Sequence, residues 1–203
     1  MKYTIFDLEC DGFNPTKIYC ISEYIDGSIY TMTDYEDMKR YFTSYDIYIG
    51  HYISMFDIPV AERLLGIKIE GRLVDTWALS HYLFPTRNKH GLEHWGEEFG
   101  VPKPLITDWF SEDVNVYIHR CEEDVKINSR LWKECNVYLN KLYPNPNDLD
   151  RFLRYLMFKM EVAREQEEEG WLLDVEKTRT ALAELEAEEK IRFDRLVSVM
   201  PKV

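Results

Sequence analysis

The alternation of apolar and polar positions over the first third of the chain predicts a group of β-strands. They fall at residues 3–9, about 17–25, about 28–33 and 46–50, with a shorter one near Leu73-Val74. Asp26-Gly27-Ser28 lies between the second and third strands and is typical of a tight hairpin turn. The second and third strands are therefore expected to pair antiparallel.

Apolar residues at helical spacing predict helices between and after these strands. The predicted helices cover residues 34–43, 55–65, about 76–84, 91–99 and 117–142. Thr33 or Asp34 is a suitable N-cap for the first, and Gly66 is expected to end the second. A hairpin followed by alternating strands and helices predicts an α/β fold. The order suits a mixed sheet flanked by helices, as in the ribonuclease-H-like architecture.

The composition changes after residue 142, where Tyr143-Pro-Asn-Pro-Asn-Asp is typical of a linker. Two helical stretches follow, about 149–168 and 175–199, and Asp174 is a good N-cap for the second. The last stretch is expected to form one arm of a helical hairpin or to pack against a segment beyond the chain end. The predicted domains are residues 1–142, a linker at 143–148 and a helical extension at 149–203.

Composition and charge narrow the class of protein. The 203 residues include 45% hydrophobic and 31% charged side chains, which is ordinary for a soluble domain with one sizeable core. The start MKYTIFDLECDG becomes acidic too soon for a signal peptide, and no apolar run is long enough to span a membrane. We therefore expect a cytoplasmic protein. Its four cysteines lack metal-binding spacing and are expected to be reduced.

The net charge of -12 argues against a protein that grips the nucleic-acid backbone over a broad basic surface. It does not exclude a nuclease, because carboxylates that hold divalent cations become locally positive. Any contact with nucleic acid is then expected to be small, local and metal-dependent.

Candidate chemistry begins with Asp7 and Glu9 at the end of the first strand. Side chains alternate along a strand, so residues two apart emerge on the same face. Two carboxylates on one face repel each other and resist burial unless a cation binds them. With 37 acidic residues, however, such a spacing should occur by chance about six or seven times, so the pair alone is weak evidence.

Two further acids strengthen the interpretation. The fourth strand runs into Gly50-His51-Tyr-Ile-Ser-Met-Phe56-Asp57, which places Asp57 in the first turn of a helix. The helix at 117–142 contains Tyr117-Ile-His119-Arg120-Cys-Glu-Glu-Asp124. In order and spacing, the three segments resemble the three motifs of the DEDD 3′–5′ exonucleases. The resemblance covers most of residues 1–140 and is to the proofreading domain of phage and bacterial family-A DNA polymerases. Residues 160–176 are similar to the start of the polymerase portion of those enzymes.

The resemblance implies a role for each of the four acids. Asp7 matches the carboxylate that bridges two metal ions, and Glu9 matches the one that binds the first metal ion and orients the attacking water. Asp57 and Asp124 match the acids of the second and third motifs. Four carboxylates suit two Mg²⁺ or Mn²⁺ ions, which can promote in-line cleavage of a phosphodiester.

The sequence departs from the family pattern at two positions. Tyr52 follows His51 where the family usually has asparagine, which puts the substrate contact there in question. Arg120 stands four residues before Asp124, where the family usually has a tyrosine base. His119 fits the spacing of the histidine subclass, and its ordinary pKa suits a general base. The alternative base is Tyr117, and the alternative role of His119 is that of a surface residue.

The resemblance also implies substrate contacts at Phe13, Cys10 and Tyr52. Phe13 matches an apolar side chain that wedges against the terminal base, although an ordinary core position is the alternative. The expected activity is proofreading removal of nucleotides from single-stranded or frayed DNA 3′ ends during DNA replication. The polymerase domain would be in cis or on a separate chain, and a phage protein would act in the host cytoplasm. The alternatives are a free-standing nuclease for RNA or small oligonucleotides and an inactive interaction module.

Overall fold

The structure is a computed structural model that describes residues 2–106 and 113–200. Twelve helices and strands are defined within these ranges. In chain order they are β1 (Tyr3–Cys10), β2 (Ile18–Ile25), β3 (Ser28–Met32), α1 (Tyr35–Tyr41), β4 (Ile47–Gly50), α2 (Asp57–Leu65), β5 (Arg72–Asp75), α3 (Thr76–Leu83), α4 (Leu92–Phe99), α5 (Val114–Leu142), α6 (Pro146–Glu169) and α7 (Val175–Val199).

The strands form one mixed five-stranded sheet in the order β3-β2-β1-β4-β5. The pairs β1–β2 and β2–β3 are antiparallel, whereas β1, β4 and β5 run parallel to one another. β1 is the central strand, but its pairing with β4 stops at Ile5 opposite Ile49. The last residues of β1 therefore extend past the end of β4, and this end of the sheet is where β4 and β5 also finish.

Apolar clusters lie on both faces of the sheet, and the side chains of β1 point alternately into one cluster and the other. Phe6 and Leu8 belong to the apolar cluster that includes α1 and α2. Ile5 belongs to the opposite cluster, which α5 fills with residues such as Leu131. Asp7 and Glu9 alternate with Phe6 and Leu8, so they share the face of Ile5 and point toward α5. The pleat of β1 thus directs both carboxylates to the long helix.

The predicted α/β fold is confirmed, and so are the mixed sheet, its flanking helices and the helical extension. Asp34 caps α1, Asp174 caps α7, and Gly66 ends α2 in the left-handed conformation. Two helix starts differ most from the prediction, each by about one turn. α5 begins at Val114, where Asp113 accepts a bond from the Asn115 N–H. α6 begins at Pro146, within the predicted linker, because proline is well tolerated in a first helical turn.

The chain divides into two compact units, Met1–Arg164 and Glu165–Val203. The first unit contains the sheet and most of α6, which buries Leu153 and Met160. The second unit contains the end of α6 and all of α7, whose side chains are exposed along its length. The last three residues of the predicted extension lie outside the described part. Within the described ranges, no helix is both long and apolar enough to cross a membrane.

Candidate metal centre

Three carboxylates from β1 and α5 converge at the end of the sheet. Asp7, Glu9 and Asp124 each offer an oxygen, and the three oxygens lie within 4.8 Å of one another. Glu9 is only 7% exposed and Asp124 only 2%. Buried carboxylates at this separation repel one another strongly unless they are protonated or share a cation.

Asp57 supplies the fourth carboxylate from the first turn of α2. It is 5% exposed, and its charge raises the pKa of Asp7. The loop between β4 and α2 holds it close to the end of β1, where the Leu8 backbone amide favours its charged form. Asp57 therefore lies near enough to Asp7 and Glu9 for their charges to interact, although the four predicted acids come from three separate elements.

The surroundings raise the pKa of every one of these acids. Burial raises the pKa of Asp7 well above its usual value, and Asp124, Asp57 and Glu9 raise it further by repulsion. Burial also raises the pKa of Glu9 to about 7 and that of Asp57 to about 8. The pKa of Asp124 is raised by burial as well, although the Lys103 ammonium opposes the shift. A protein that keeps four such groups together has a site adapted to bind positive charge.

The donor set fits a hard divalent cation. Carboxylate oxygens are the ligands that Mg²⁺ and Mn²⁺ prefer, and those of Asp7, Glu9 and Asp124 converge here, with Asp57 nearby. The Oδ1 atom of Asp124 is buried and has no hydrogen-bond partner among the described residues. A buried acceptor of this kind is costly, and a cation bound by Asp7, Glu9 and Asp124 would satisfy it.

Two basic side chains partly neutralise the cluster. Lys103 forms an ion pair with Oδ2 of Asp124 and is itself mostly buried. Arg120 donates its Nε–H to Oε1 of Glu9 at 2.8 Å. It also donates an Nη1–H to the Pro104 carbonyl at 2.9 Å. Arg120 therefore connects Glu9 to the short segment that carries Lys103.

Sequence reasoning treated Arg120 only as a departure from a pattern and did not identify Lys103. A signal for Arg120 was present, because residues four apart share one helix face and Asp124 points inward. Lys103 lies in an irregular segment after α4, where no periodicity indicates the direction of a side chain.

The two candidate general bases on α5, Tyr117 and His119, differ in their exposure to solvent. Tyr117 is fully buried and stacks on Tyr19 with ring centroids 3.9 Å apart. His119 is exposed, and it lies on a different helix face from Arg120, the residue that contacts Glu9. The identity of the base stays a prediction.

The three predicted substrate contacts are also placed at this end of the sheet. Phe13 is 96% exposed in the loop after β1, so the alternative that it is a core phenylalanine is wrong. Cys10 is buried and its Sγ–H points to the Gly12 carbonyl at 3.4 Å, so its side chain is shielded from solvent. Tyr52 is exposed and has a left-handed backbone with φ of 65°, in the loop that leads to Asp57.

Asp75 fixes this loop and is also the N-cap of α3. Its Oδ1 accepts from the Tyr52 N–H at 3.0 Å and the Trp77 N–H at 2.9 Å, and its Oδ2 accepts from the Ser54 N–H at 3.1 Å. In the same loop, His51 contacts Thr76 Oγ1 through Nδ1 at 3.0 Å. One buried carboxylate therefore sets the position of the segment that carries Tyr52 and leads to Asp57.

Similarity to solved structures is found at the level of the fold. No family model and no curated protein matches the sequence. The NrnC nuclease of Brucella melitensis superposes with a TM-score of 0.63 at 17% identity, over 86% of this chain and 91% of that one. Structures of the same protein with bound Mg²⁺ and with pGG match over the same shares, at 16% identity.

A second structural relative is a family B DNA polymerase from the archaeon Pyrobaculum calidifontis. It superposes with a TM-score of 0.54 at 17% identity, over 68% of this chain and 25% of the polymerase. Both relatives support the ribonuclease-H-like nuclease fold.

Proposed function

We propose that this chain is a metal-dependent 3′–5′ exonuclease that removes nucleotides from single-stranded or frayed DNA 3′ ends. The observation that carries the proposal is the convergence of Asp7, Glu9 and Asp124 at one end of the sheet, with Asp57 near enough to raise the pKa of Asp7. The pKa values of all four carboxyl groups are raised. An unsatisfied buried oxygen of Asp124 supports a bound cation. Perturbed carboxylates in such a cluster are typical of functional sites.

Two divalent cations, when bound, would supply an activated water and stabilise the leaving 3′-oxygen. The protein's own residues then have separate tasks. The four carboxylates hold the cations, and Arg120 orients Glu9 through the 2.8 Å hydrogen bond. His119 is proposed to accept the proton of the attacking water, with Tyr117 as the alternative. Phe13 is exposed and suited to stack on the terminal base.

A proofreading role is the narrower form of this proposal. It rests on the sequence resemblance to family-A polymerases, which includes residues 160–176. On this proposal the partner is a polymerase domain, in cis or on another chain, and the substrate is a mispaired primer end.

A second candidate is a free-standing nuclease for RNA or small oligonucleotides. The favouring observation is that a nuclease of similar length, NrnC, matches over most of both chains and was solved with pGG. The polymerase match, in contrast, covers a quarter of that protein. Hydrolysis rates on DNA and RNA oligonucleotides of matched sequence, with and without a mispaired duplex end, distinguish the two roles.

The decisive experiment for the activity is the Asp7→Ala variant. We expect it to abolish mononucleotide release in Mg²⁺ or Mn²⁺ while its circular dichroism spectrum stays that of the wild type. Asp37→Ala is the matched control, since Asp37 is an acid on α1, remote in sequence, whose carboxylate pairs with neighbouring Arg40. Full activity of Asp7→Ala would overturn the proposal. Absence of divalent-dependent turnover in the wild type would favour the inactive interaction module instead.

A further inference from the structure

The last helix, α7, has an apolar face that is open to solvent. Leu182, Leu185, Leu196 and Val199 are each more than half exposed. A helix in a folded protein gains most of its stability from packing of its apolar face, and less from the intrinsic propensity of its residues. Contiguous exposed apolar surface is typical of sites where proteins associate. The face of α7 is therefore a candidate interaction surface.

The residues of this face follow the heptad spacing of a two-stranded coiled coil. Between residues 182 and 199, the a and d positions hold four apolar side chains and, at their centre, two of opposite charge. These residues are Leu182, Leu185, Glu189, Arg192, Leu196 and Val199. Two apolar layers thus lie on each side of a charged centre. Polar residues at such positions lower the stability of a coiled coil, but they specify its register and its partner.

The groove along this face has a symmetric arrangement of residues. Its lining residues are Leu185, Glu188, Glu189, Arg192, Phe193 and Leu196. A half-turn about an axis between residues 190 and 191 exchanges Leu185 with Leu196 and Glu189 with Arg192. A second α7 that lies antiparallel along the groove would therefore place leucine against leucine and glutamate against arginine.

Charge complementarity selects the antiparallel arrangement. In a parallel pair of identical helices, each layer contains the same residue twice, so Glu189 would face Glu189 and Arg192 would face Arg192. Like charges that face each other across an interface strongly disfavour association. In the antiparallel pair, each charged layer contains one acid and one base, and Leu182 packs against Val199 at both ends. Such an interface uses the same surface of both copies.

The charges of α7 do not oppose this contact. The helix carries six acidic and five basic side chains, so it is nearly neutral in a chain of net charge -12. Arg192 forms an ion pair with Glu188 on its own helix, and both side chains are more than half exposed. An exposed pair of this kind contributes little to stability. It therefore leaves Arg192 able to face Glu189 of a second copy.

We propose that α7 is a dimerisation element, and that two copies of this chain associate through an antiparallel pair of α7 helices centred between residues 190 and 191. The partner of the exposed face is then the same face of a second copy. This proposal is independent of the exonuclease activity, because α7 contains none of the four acids of the candidate metal centre.

The test measures the mass of the full chain by sedimentation velocity over a range of concentrations. The wild type should form a dimer that dissociates on dilution. Glu189→Arg places two bases in each charged layer and should raise the dimer dissociation constant at least about tenfold. Combining Glu189→Arg with Arg192→Glu restores opposite charges in both layers. This double variant should return the dissociation constant to near the wild-type value.

Glu184→Arg is the matched control, because it makes the same change of charge at an exposed position of α7 away from the groove. It should leave the dissociation constant unchanged. Circular dichroism checks that every variant keeps its helices.

Disulfide cross-linking tests the orientation of the helices. Leu185→Cys and Leu196→Cys chains, mixed and treated with diamide, should form a mixed covalent dimer, because the two positions lie opposite each other. Leu185→Cys alone should not cross-link through this position, because its counterpart on the second copy lies about 16 Å away along the helix. The four natural cysteines are buried and should not compete.

Three results would each overturn the proposal. The first is a wild type that stays monomeric at every concentration. The second is a dissociation constant that Glu189→Arg leaves unchanged, or that the double variant fails to restore, because the two charges then do not pair across the interface. The third is cross-linking of Leu185→Cys to itself, which would show a parallel pair.

Discussion

Arg120 bonds to Glu9 through Nε and Oε1 at 2.8 Å, and both side chains are largely shielded from water. Lys103 pairs with Asp124 in the same cluster. Among the described residues, two positive charges thus face four carboxyl groups, fewer than full ionisation of the four would need. This balance connects stability, pH and metal binding, and it is the source of the first two predictions.

Arg120→Gln should destabilise the protein in EDTA. Glu9 would stay buried without its counter-ion, and removal of one partner of a buried pair costs about 3 kcal/mol in the free energy of unfolding. Chemical denaturation measures this loss. Divalent cations should restore much of it, because a ligand that binds only the folded state stabilises it.

The same variant should bind Mn²⁺ about tenfold more tightly, since a competing positive charge has been removed. Electron paramagnetic resonance measures free Mn²⁺ directly. Arg154→Gln is the control, because Arg154 pairs with Asp150 and is mostly exposed. Equal Mn²⁺ affinity in wild type and Arg120→Gln would contradict the competition.

The metal-free protein should lose stability as the pH rises from about 4 to about 8. Burial raises the pKa of Glu9 from 4.5 to about 7 and that of Asp57 from 3.8 to about 8. Both groups bind a proton more tightly when folded, so their contribution is complete below the unfolded pKa and disappears above the folded one. Thermal unfolding in EDTA at a series of pH values measures the slope.

Two comparisons check this assignment. The Asp57→Asn variant has no ionisable group at this position, so its free energy of unfolding should depend less on pH than that of the wild type. Saturating Mn²⁺ should also flatten the slope, because the cation replaces the proton at the carboxylates. A steeper slope in Asp57→Asn would show that other groups control the pH dependence.

His119→Ala should lower kcat by about 10²- to 10⁴-fold and remove the acidic limb of the pH–rate profile, if His119 is the general base. His94→Ala is the control, because His94 is on α4 and its ring contacts the side chain of Glu97. If the acidic limb of the pH–rate profile persists in His119→Ala, His119 is not the general base. Tyr117→Phe is then the variant to measure, although Tyr117 is buried against Tyr19.

Gly50→Ala should destabilise the protein by about 1–3 kcal/mol, because the added methyl group overpacks a closed site. A Cβ at Gly50 would lie 2.1 Å from Ile53 Cγ2 and 3.2 Å from the Phe6 carbonyl oxygen. Gly91→Ala is the matched change, since its Cβ would meet nothing within 4 Å. Chemical denaturation should show little change in the free energy of unfolding of Gly91→Ala. Equal losses of stability in Gly50→Ala and Gly91→Ala would refute the packing argument.

The strands and helices were predictable because their signals are local. Asp26-Gly27 forms its turn with both residues at positive φ, and Gly66 ends α2 in the left-handed conformation. These residues act through their own backbone preferences, so neighbouring sequence suffices to identify them. The start of α6 was harder to predict, because a proline-rich segment is compatible with both a linker and a first helical turn.

The four acids of the candidate centre could be chosen from the sequence because each follows a strand end or lies on an identifiable helix. The sequence alone thus determined the elements, the shared face of Asp7 and Glu9, and the candidate ligands. Only the tertiary structure decided that Lys103 and Arg120 enter the cluster and that Phe13 is exposed. These relationships join residues far apart in the chain, and the packing of the sheet against its helices sets the distances between them.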